Sequence, residues 1–322
     1  MNLVNTTNSL PFINTDGLKS SLVVYPRLHF FSLDLSDYIG ILKHGSFGMS
    51  LQDFPITITC TTSSDADHIV LNNNTKQYNL DYKIDFHSLR KKIGCNQFFS
   101  VNVSLPKEIQ EHTGIGISTQ VVGGVYLACA GHCGVNLSIK DLFDLGVGHV
   151  STLGLNLLFN PGMIIENGVS YKNKIEKPVS VITRVEKFPF WIIVAIPKDL
   201  QSLSAKPEND FWGSILPEDV DVTKSVYREF YGECVPAILE NDFEAFAASL
   251  DKIVRMGSKA KEEDIQSAGT KLILSELRNK FGCAGVSSMG PTVYSFSPTD
   301  PREILQTIKS EQYTFCVIKN EQ

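Results

Sequence analysis

A run of glycine, serine and small apolar residues near the C-terminus has the composition of a ligand-binding loop. It reads Gly282-Cys283-Ala284-Gly285-Val286-Ser287-Ser288-Met289-Gly290-Pro291-Thr292-Val293-Tyr294. Because few side chains block the way, its backbone N–H groups and hydroxyls could approach a ligand closely. The candidate phosphate- or substrate-binding residues in this run are Gly285, Ser287, Ser288, Gly290 and Thr292.

A second small-residue loop lies far upstream and reads Glu111-His112-Thr113-Gly114-Ile115-Gly116-Ile117-Ser118-Thr119-Gln120. It opens a predicted helix of small residues, Ser118 to Ala130, and a helix N-terminus attracts anions. Its hydroxyls could bind phosphate or a hydrated metal ion. The alternative is a plain turn that caps a helix. The candidate binding residues are His112, Gly114, Gly116, Ser118, Thr119 and Gln120, and two such loops in one chain suggest a polyphosphate substrate.

Three polar residues near the N-terminus are candidate catalytic groups. Arg27 and His29 alternate on a predicted strand, so both face the same side. An arginine could hold a carboxylate or phosphate through two hydrogen bonds, and a histidine could act as a general base. Asp34 is a candidate for a metal ion or a ribose hydroxyl. The alternatives are a solvated strand face for Arg27 and His29, and a loop cap for Asp34.

The composition bounds the class of protein. The chain has 322 residues, of which 43% are hydrophobic and 20% charged, which is enough for two folded domains. The net charge of −6 argues against a nucleic-acid partner. No apolar segment reaches membrane-spanning length, and the polar start of the chain is unlike a signal peptide. We therefore expect a cytoplasmic protein that binds neither membranes nor nucleic acid.

The seven cysteines are scattered along the chain. Cys129 and Cys133 are four residues apart and would share a helix face, but no second close pair completes a metal site. We expect reduced, mostly buried thiols. The protein ligands of any metal ion stay unassigned.

Hydrophobic patterning predicts strands that concentrate in the first half and helices that follow them. The stretch from Ser202 to Pro217 reads as a loop. The predicted strands are Ser21 to Phe31, Pro55 to Thr62, a hairpin from His68 to Leu80, Phe98 to Leu105, Val179 to Val185, Trp191 to Ile196, 291–297 and 312–318. The predicted helices are Ser118 to Ala130, Ser138 to Leu145, 222–240, 242–257, 262–280 and 301–310.

A turn-rich stretch, Asn160 to Lys177, suggests a domain boundary. We place an N-terminal domain at residues 1–168 and a C-terminal domain at 169–322. Because strands and helices do not alternate regularly, the pattern indicates an α+β protein rather than a parallel-sheet enzyme.

Three motifs carry a resemblance to a known family. They are Tyr25-Pro26-Arg27-Leu28-His29-Phe30, Gly114-Ile115-Gly116-Ile117-Ser118-Thr119-Gln120 and Ser287-Ser288-Met289-Gly290-Pro291-Thr292-Val293-Tyr294. Together, in this order, they resemble the GHMP superfamily of small-molecule kinases. Within it they are similar to β-ribofuranosylaminobenzene 5'-phosphate synthase, whose motifs are Pro-x-Arg-Leu-His-Phe, Gly-x-Gly-x-x-Thr-Gln and Ser-Ser-Trp-Gly-Pro-Thr-Val-Tyr. The likeness runs from about Val23 to Phe296.

The resemblance implies a two-domain GHMP-type fold, with an N-terminal mixed β/α domain and a C-terminal ferredoxin-like α/β sandwich. It also implies a reaction of the tetrahydromethanopterin pathway. In that reaction 5-phosphoribosyl pyrophosphate condenses with 4-hydroxybenzoate or 4-aminobenzoate, and CO2 and pyrophosphate are released. Mg2+ is the expected cofactor, a phosphorylated sugar and an aromatic acid are the expected ligands, and a homodimer is typical of the fold.

The chain departs from the family pattern at three places. Val147-Gly148-His149-Val150-Ser151-Thr152 stands where the family has an Arg-Arg-Ser-Gly-like run, which makes His149 a candidate. Met289 replaces the tryptophan of the third motif. The family's run Phe-x-x-Gly-Gly-Phe-Ile-Val-Asp-Gly-Gly reads here Phe159-Asn160-Pro161-Gly162-Met163-Ile164-Ile165-Glu166-Asn167-Gly168. A relative that acts on another acceptor is therefore an alternative.

Two other functions compete with the transferase. An ATP-dependent GHMP kinase has a Pro-x-x-x-Gly-Leu-Gly-Ser-Ser loop and a downstream catalytic aspartate. Here Ser118-Thr119 replaces the double serine, and Asp141 and Asp144 lie in a predicted helix without that context. These differences favour the transferase. The third possibility is a ligand-binding relative without catalysis.

Overall fold

The computed structural model describes residues 14–15, 19–33, 35, 42–72, 84–109, 112–149, 152–172, 175–178, 181–198 and 208–319. Asp34 and most of the predicted hairpin, residues 73–80, lie outside this part of the chain. No helix in these ranges is long and apolar enough to cross a lipid bilayer.

The strands are numbered in chain order. They are β1 (Asn14–Thr15), β2 (Ser20–Val24), β3 (Arg27–Ser32), β4 (Leu42–Ser50), β5 (Ile56–Ser63), β6 (His68–Asn72), β7 (Phe98–Ser104), β8 (Met163–Lys172), β9 (Ile175–Pro178), β10 (Val181–Val185), β11 (Trp191–Pro197), β12 (Ala284–Val286), β13 (Val293–Ser297) and β14 (Tyr313–Lys319).

The helices are numbered in the same way, and a π-helical turn, Phe230–Cys234, joins α6 to α7. They are α1 (Phe86–Ile93), α2 (Ile117–His132), α3 (Ile139–Asp144), α4 (Thr152–Phe159), α5 (Glu208–Ile215), α6 (Val220–Glu229), α7 (Val235–Glu240), α8 (Phe243–Val254), α9 (Gly257–Asp264), α10 (Ala268–Phe281) and α11 (Arg302–Leu305).

The chain forms two compact units, each assembled from separate stretches. Unit 1 comprises residues 1–27, 49–111 and 116–184, and unit 2 comprises 28–48, 112–115 and 185–322. The boundary that we predicted after residue 168 falls inside β8, a strand of unit 1.

Unit 1 is built on a five-stranded sheet in the order β1-β2-β5-β7-β6. Strand β5 is antiparallel to β2 and β7, whereas β6 is parallel to β7. The alternation predicted for β5 and β7 is confirmed, because Ile58 and Cys60 are buried opposite Val103 and Val101. Burial of one face of each strand is what a half-covered sheet requires.

Helix α2 covers this sheet because its small residues allow close approach. A Cβ on Gly124 would lie 2.4 Å from Ile58 Cδ1, and one on Gly123 would lie 2.4 Å from Leu158 Cδ1. The Ser20 hydroxyl donates to the Ala128 carbonyl over 2.6 Å. The helix predicted from Ser118 to Ala130 is therefore confirmed, and its glycines serve packing on both sides.

Unit 2 is built on an antiparallel sheet in the order β12-β13-β11-β14. Helix α10 covers one face, where Ile273 and Leu277 pack with Ile193 and Val293. An aromatic cluster fills the rest of the core. Its ring contacts include Phe30 to Tyr294, Phe31 to Phe230 and Phe246 to Phe296, with centroids 5.0, 5.2 and 5.0 Å apart.

Several element predictions need correction. The stretch from Asn160 to Lys177 is not mainly turns, because β8 and β9 occupy most of it and pair with each other. Part of the predicted loop from Ser202 to Pro217 is helix α5. The predicted strand from Ser21 to Phe31 is two strands, since the chain leaves the ladder at Tyr25-Pro26. Proline lacks the N–H that a ladder needs.

Candidate functional site

The two small-residue loops predicted from the sequence meet within unit 2. The Ser287 hydroxyl donates to the Gly114 carbonyl over 3.0 Å, and the Thr292 N–H donates to the Thr113 carbonyl over 3.0 Å. The loop after β12 is closed on itself, because Ser287 N–H bonds to the Thr292 carbonyl and Gly290 N–H bonds to the Ser287 carbonyl. Hydrogen bonds to the Thr113 and Gly114 carbonyls thus join two segments that are far apart in the sequence.

Gly114 is needed because the second loop leaves no space for a side chain. A Cβ there would lie 2.2 Å from the Ser287 carbonyl oxygen and 3.0 Å from backbone atoms of Gly290. The residue also has φ of +84°, which disfavours other amino acids. The sequence suggested that this glycine lets a phosphate approach, but the group that approaches its Cα is the protein's own backbone.

The hydroxyls of the C-terminal loop differ in their exposure. Ser287 and Thr292 are fully buried, whereas Ser288 and Met289 are half-buried. Ser287 Oγ also accepts the His29 N–H over 3.1 Å. Thr292 Oγ1 is buried without a hydrogen-bond partner among the described residues. Ser288 has φ of +50°, so its backbone is held in the left-handed region.

Gly285 lies one register pair away from this loop and makes room for an aromatic ring. It stands opposite Tyr294 in the β12–β13 ladder, and a Cβ would lie 2.4 Å from the Tyr294 hydroxyl. That hydroxyl donates to the Phe30 carbonyl over 2.7 Å. Burial raises the pKa of Tyr294 well above its ordinary value, so the ring is a neutral hydrogen-bond donor.

Helix α9 and Gln266, which follows it, donate hydrogen bonds to the C-terminal loop. The sequence pattern did not predict these contacts. The Lys259 ammonium, 4% exposed, donates to the Val286 carbonyl over 2.6 Å and to the carboxylate of Glu262, which is fully buried. The Gln266 amide donates to the Met289 carbonyl over 2.8 Å. The sequence showed only a charged run in this helix, which is typical of a solvated surface.

In unit 1, helix α2 begins at Gly116 without a side-chain cap. Gly116 has φ of +63°, and a Cβ there would lie 2.5 Å from Arg27 Nε and 2.6 Å from Arg27 Cγ. The arginine side chain therefore runs across this glycine. A Cβ on Gly154 in α4 would lie 3.4 Å from Arg27 Cδ and 2.9 Å from Thr119 Cγ2. Two glycines thus make room for one arginine stem beside a helix N-terminus.

A buried polar network stands next to this helix start. The Gln120 amide donates to the Gly154 carbonyl over 2.7 Å, and the Gln120 Oε1 atom is buried without a hydrogen-bond partner in the described part of the chain. Glu166, fully buried, accepts the Thr152 hydroxyl over 2.8 Å and the Gly168 N–H over 2.5 Å. The sequence analysis did not predict this network, although Glu166 is the one acid in β8 and follows three apolar residues, a pattern that could have indicated a buried carboxylate.

The structure places the remaining candidates as follows. Arg27 and His29 are 8% and 5% exposed, so the solvated strand face is not observed. His112 is exposed, with φ of +62°. His149 Nε2 lies 2.7 Å from the Phe143 carbonyl, and its ring stacks on Phe143, which gives it a structural partner. Asp34 lies outside the described residues. The ligand contacts of these residues stay predictions.

Within the ranges that the structure describes, no group of three or more His, Cys, Asp or Glu side chains is arranged to hold a metal ion. Mg2+ in phosphate chemistry commonly takes most of its ligands from the substrate and water, with few from the protein. The first turn of α2 carries two hydroxyls, those of Ser118 and Thr119, and both residues are half-buried. Such a donor set suits a magnesium ion that arrives with a polyphosphate.

Comparisons with known proteins bear on the family. No family model matches the chain. β-Ribofuranosylphenol 5'-phosphate synthase from Archaeoglobus fulgidus is 24% identical over 294 residues, which cover 88% of this chain and 89% of that protein. The enzyme of the same name from Methanothermobacter thermautotrophicus is 25% identical over 294 residues, covering 86% and 88%. The resemblance found in the three motifs is thus confirmed over most of the chain.

The fold is shown by solved structures. Mevalonate diphosphate decarboxylase from Enterococcus faecalis superimposes with a TM-score of 0.63, covering 92% of this chain and 96% of that one, at 14% identity. It is a GHMP-fold protein with two domains. The predicted α+β, GHMP-type architecture is confirmed, and at this identity the likeness carries the fold alone.

Proposed function

We propose that this chain, which resembles the β-ribofuranosylphenol 5'-phosphate synthases over most of its length, is a phosphoribosyl pyrophosphate-dependent, decarboxylating pentosyltransferase. It would act in the tetrahydromethanopterin pathway. The C1–pyrophosphate bond of the donor and the ring–carboxylate bond of the acceptor break, and a bond from C1 to the ring carbon forms. Of the two acceptors expected from the sequence, the relatives' product name, a ribofuranosylphenol phosphate, favours 4-hydroxybenzoate over 4-aminobenzoate.

The observation that carries this proposal is the meeting of two family motifs in unit 2. Ser287 opens the Ser-Ser-x-Gly-Pro-Thr-Val-Tyr motif, and its hydroxyl bonds to Gly114 in the other motif, 173 residues away. The His29 N–H of the Pro-x-Arg-Leu-His-Phe motif bonds to the same hydroxyl. Three short motifs that share one hydrogen-bonded centre support a common function better than any motif alone.

Phosphate binding is assigned to the start of α2 in unit 1. A pyrophosphate leaving group needs N–H donors and positive charge, and an uncapped helix N-terminus beside an arginine supplies both. Each exposed interaction with a helix dipole contributes only about 0.3–1 kcal/mol, so several donors must act together. Bound Mg2+ would neutralise part of the pyrophosphate charge, and the hydroxyls of Ser118 and Thr119 are the residues of this segment that would hold it.

Arg27 and His29 are assigned different roles. Arg27 holds an anionic group, either the acceptor carboxylate or a phosphate, through its planar fork. His29 takes the proton of the acceptor's ring substituent, because removal of that proton makes the ring carbon more nucleophilic. Both residues are nearly buried, so little water competes for them. A homodimer and a cytoplasmic location remain part of this proposal.

The test is a ligand comparison followed by a turnover assay. Thermal unfolding is measured with phosphoribosyl pyrophosphate plus Mg2+ and with ATP plus Mg2+, because a ligand at about 100 times its dissociation constant adds about 2.7 kcal/mol of stability. Release of labelled CO2 from carboxyl-labelled 4-hydroxybenzoate is then followed with and without the donor. Donor-dependent CO2 release supports the transferase, and its absence with a stabilising donor supports a ligand-binding relative.

The alternative is an ATP-dependent GHMP kinase. The observation in its favour is the fold, since a mevalonate diphosphate decarboxylase of this architecture was solved with AMPPCP and magnesium. Against it stands Ser118-Thr119 in place of the kinase double serine. Strong stabilisation by ATP, together with phosphate transfer to a small alcohol, would replace the transferase with this function.

A further inference from the structure

Four of the seven cysteines form two close pairs in unit 1, and none of the four belongs to the candidate binding or catalytic residues. The Sγ atoms of Cys95 and Cys133 lie 2.7 Å apart, and those of Cys60 and Cys129 lie 3.6 Å apart. All four are free thiols in the structure. The four-residue spacing of Cys129 and Cys133 is visible in the sequence, whereas the partners Cys60 and Cys95 are brought to them only by the fold.

The positions of Cys95 and Cys133 are fixed by two helix ends. Cys133 is the C-cap of α2, and its N–H donates to the Ala130 carbonyl over 3.0 Å. Cys95 follows Gly94, the left-handed C-cap of α1, and its N–H donates to the Arg90 carbonyl over 3.2 Å. Gln97 adds a contact, because its amide donates to Cys133 Sγ over 3.1 Å. The backbone of each cysteine is therefore held by a hydrogen bond to a helix end.

The two pairs differ in separation and in access. A disulfide bond is about 2.03–2.05 Å long, so the Cys95 and Cys133 sulfurs need to approach by well under 1 Å. Both of these residues are half-buried, whereas Cys60 and Cys129 are fully buried. A small oxidant therefore reaches the first pair far more easily than the second.

We propose that Cys95 and Cys133 are a modification site at which a small-molecule disulfide, such as oxidised glutathione, forms an intramolecular disulfide. One protein thiolate attacks a sulfur of the oxidant and releases one glutathione thiolate. The second protein thiolate then attacks the mixed disulfide and releases the other. The two cysteines lose two electrons and two protons, and the oxidant is reduced to two thiols.

The environment of Cys133 sets the order and pace of these steps. Burial, with a contribution from the neighbouring Cys95 thiol, raises the pKa of Cys133 to about 12. Its thiolate is therefore scarce near neutral pH, so Cys95 is the thiol that attacks the oxidant and Cys133 resolves the mixed disulfide. The rate of the second step should rise as pH increases toward the pKa of Cys133.

The bond would link residues 38 apart in the sequence and tie the end of α1 to the end of α2. Closing a loop of this length restricts the unfolded chain, which stabilises the native state. The midpoint of thermal unfolding should accordingly rise by several degrees after oxidation. Addition of a reductant such as dithiothreitol should reverse that rise.

The experiment incubates the fully reduced protein with oxidised glutathione and maps its disulfides by mass spectrometry. The expected product has lost two hydrogen atoms and contains one Cys95–Cys133 bond. Cys95→Ser and Cys133→Ser should each prevent it, and Cys133→Ser should accumulate glutathione on Cys95. The matched control Cys60→Ser removes a member of the other pair and should leave the bond unchanged. Stable thiols at 95 and 133, or a bond that joins either to another cysteine, would overturn the proposal.

Discussion

Gly114 and Gly116 are two residues apart, and both adopt positive φ, yet they make room for different neighbours. In unit 2, the Cβ position of Gly114 is blocked by backbone atoms of Ser287 and Gly290, the nearest at 2.2 Å. In unit 1, the Cβ position of Gly116 is blocked by the Arg27 side chain, the nearest atom at 2.5 Å. Backbone atoms cannot shift without moving the whole loop, whereas rotation about side-chain bonds can relieve part of a clash with an arginine.

The two regions also differ in the hydrogen bonds and ion pairs that hold them in place. The unit 2 loop rests on a buried lysine and carboxylate, Lys259 and Glu262, and its geometry is set by main-chain hydrogen bonds. At the α2 start in unit 1, the Gln120 amide donates to the Gly154 carbonyl, and the charged Arg27 lies across the helix start. We infer that the unit 2 loop is a rigid element and that the unit 1 helix start is the adjustable one.

The largest effect is expected for Lys259→Met. Removal of the lysine takes an ion-pair partner from the buried Glu262 carboxylate and a donor from the Val286 carbonyl. Breaking a buried pair in this way costs about 3–5 kcal/mol of unfolding free energy, measurable by urea unfolding. Lys259→Met combined with Glu262→Leu should recover most of the loss. The unit 1 counterpart, Gln120→Leu, should cost about 1–3 kcal/mol, and an equal or larger loss there would reverse the comparison.

A second effect tests the backbone contact directly. Gly114→Ala should lose about 2–4 kcal/mol of stability, because it adds a clash with the Ser287 carbonyl to the strain of positive φ. Gly146→Ala is the matched control, since Gly146 has φ of +90° with nothing within 4 Å of its Cβ position. The control should lose only the unfolding free energy that corresponds to backbone strain, because its new Cβ meets no other atom. If the two variants unfold at the same denaturant concentration, the loops do not restrain each other as described.

A smaller effect is expected for Gly116→Ala. The left-handed backbone costs about 1–2 kcal/mol. Displacement of the Arg27 stem, whose Cγ would lie 2.6 Å from the new Cβ, adds less than a backbone clash because rotation about side-chain bonds can relieve part of it. Gly94→Ala, with φ of +67° and nothing within 4 Å, provides the control for strain. Gly116→Ala should nevertheless weaken binding of phosphoribosyl pyrophosphate, whereas Gly94→Ala should not. Unchanged donor affinity in folded Gly116→Ala would mean that the Arg27 position is irrelevant to binding.

The smallest losses of stability are expected for substitutions on β3, where Arg27→Lys and His29→Asn should instead change KM and kcat separately. Arg27→Lys keeps the charge but loses the planar fork, so KM for the bound anion should rise roughly tenfold, or about 1.4 kcal/mol, with kcat little changed. His29→Asn keeps hydrogen bonding but loses titration, so it should mainly lower kcat. Steady-state kinetics of CO2 release distinguishes the two. Near-normal turnover and affinity in both variants would make this strand purely structural.

The sequence predicted the fold in good part because its signals are local. Alternating residues such as Ile56 and Ile58 identify β5, small residues identify α2, and three short motifs in the right order identify the GHMP architecture. The errors fell where local signals conflict. Glycines and asparagines between Asn160 and Lys177 suggested turns, but pairing between β8 and β9 made strands of them.

The sequence alone determined which residues are candidates, and only the tertiary structure decided what surrounds them. Two glycines in one loop look alike in sequence, but their neighbours come from residues 27 and 287–290. The charged run of α9 gives no sign that Lys259 is buried, and scattered cysteines give no sign that Cys95 faces Cys133. Each of these facts depends on contacts between residues distant in the chain, which composition, periodicity and spacing do not encode.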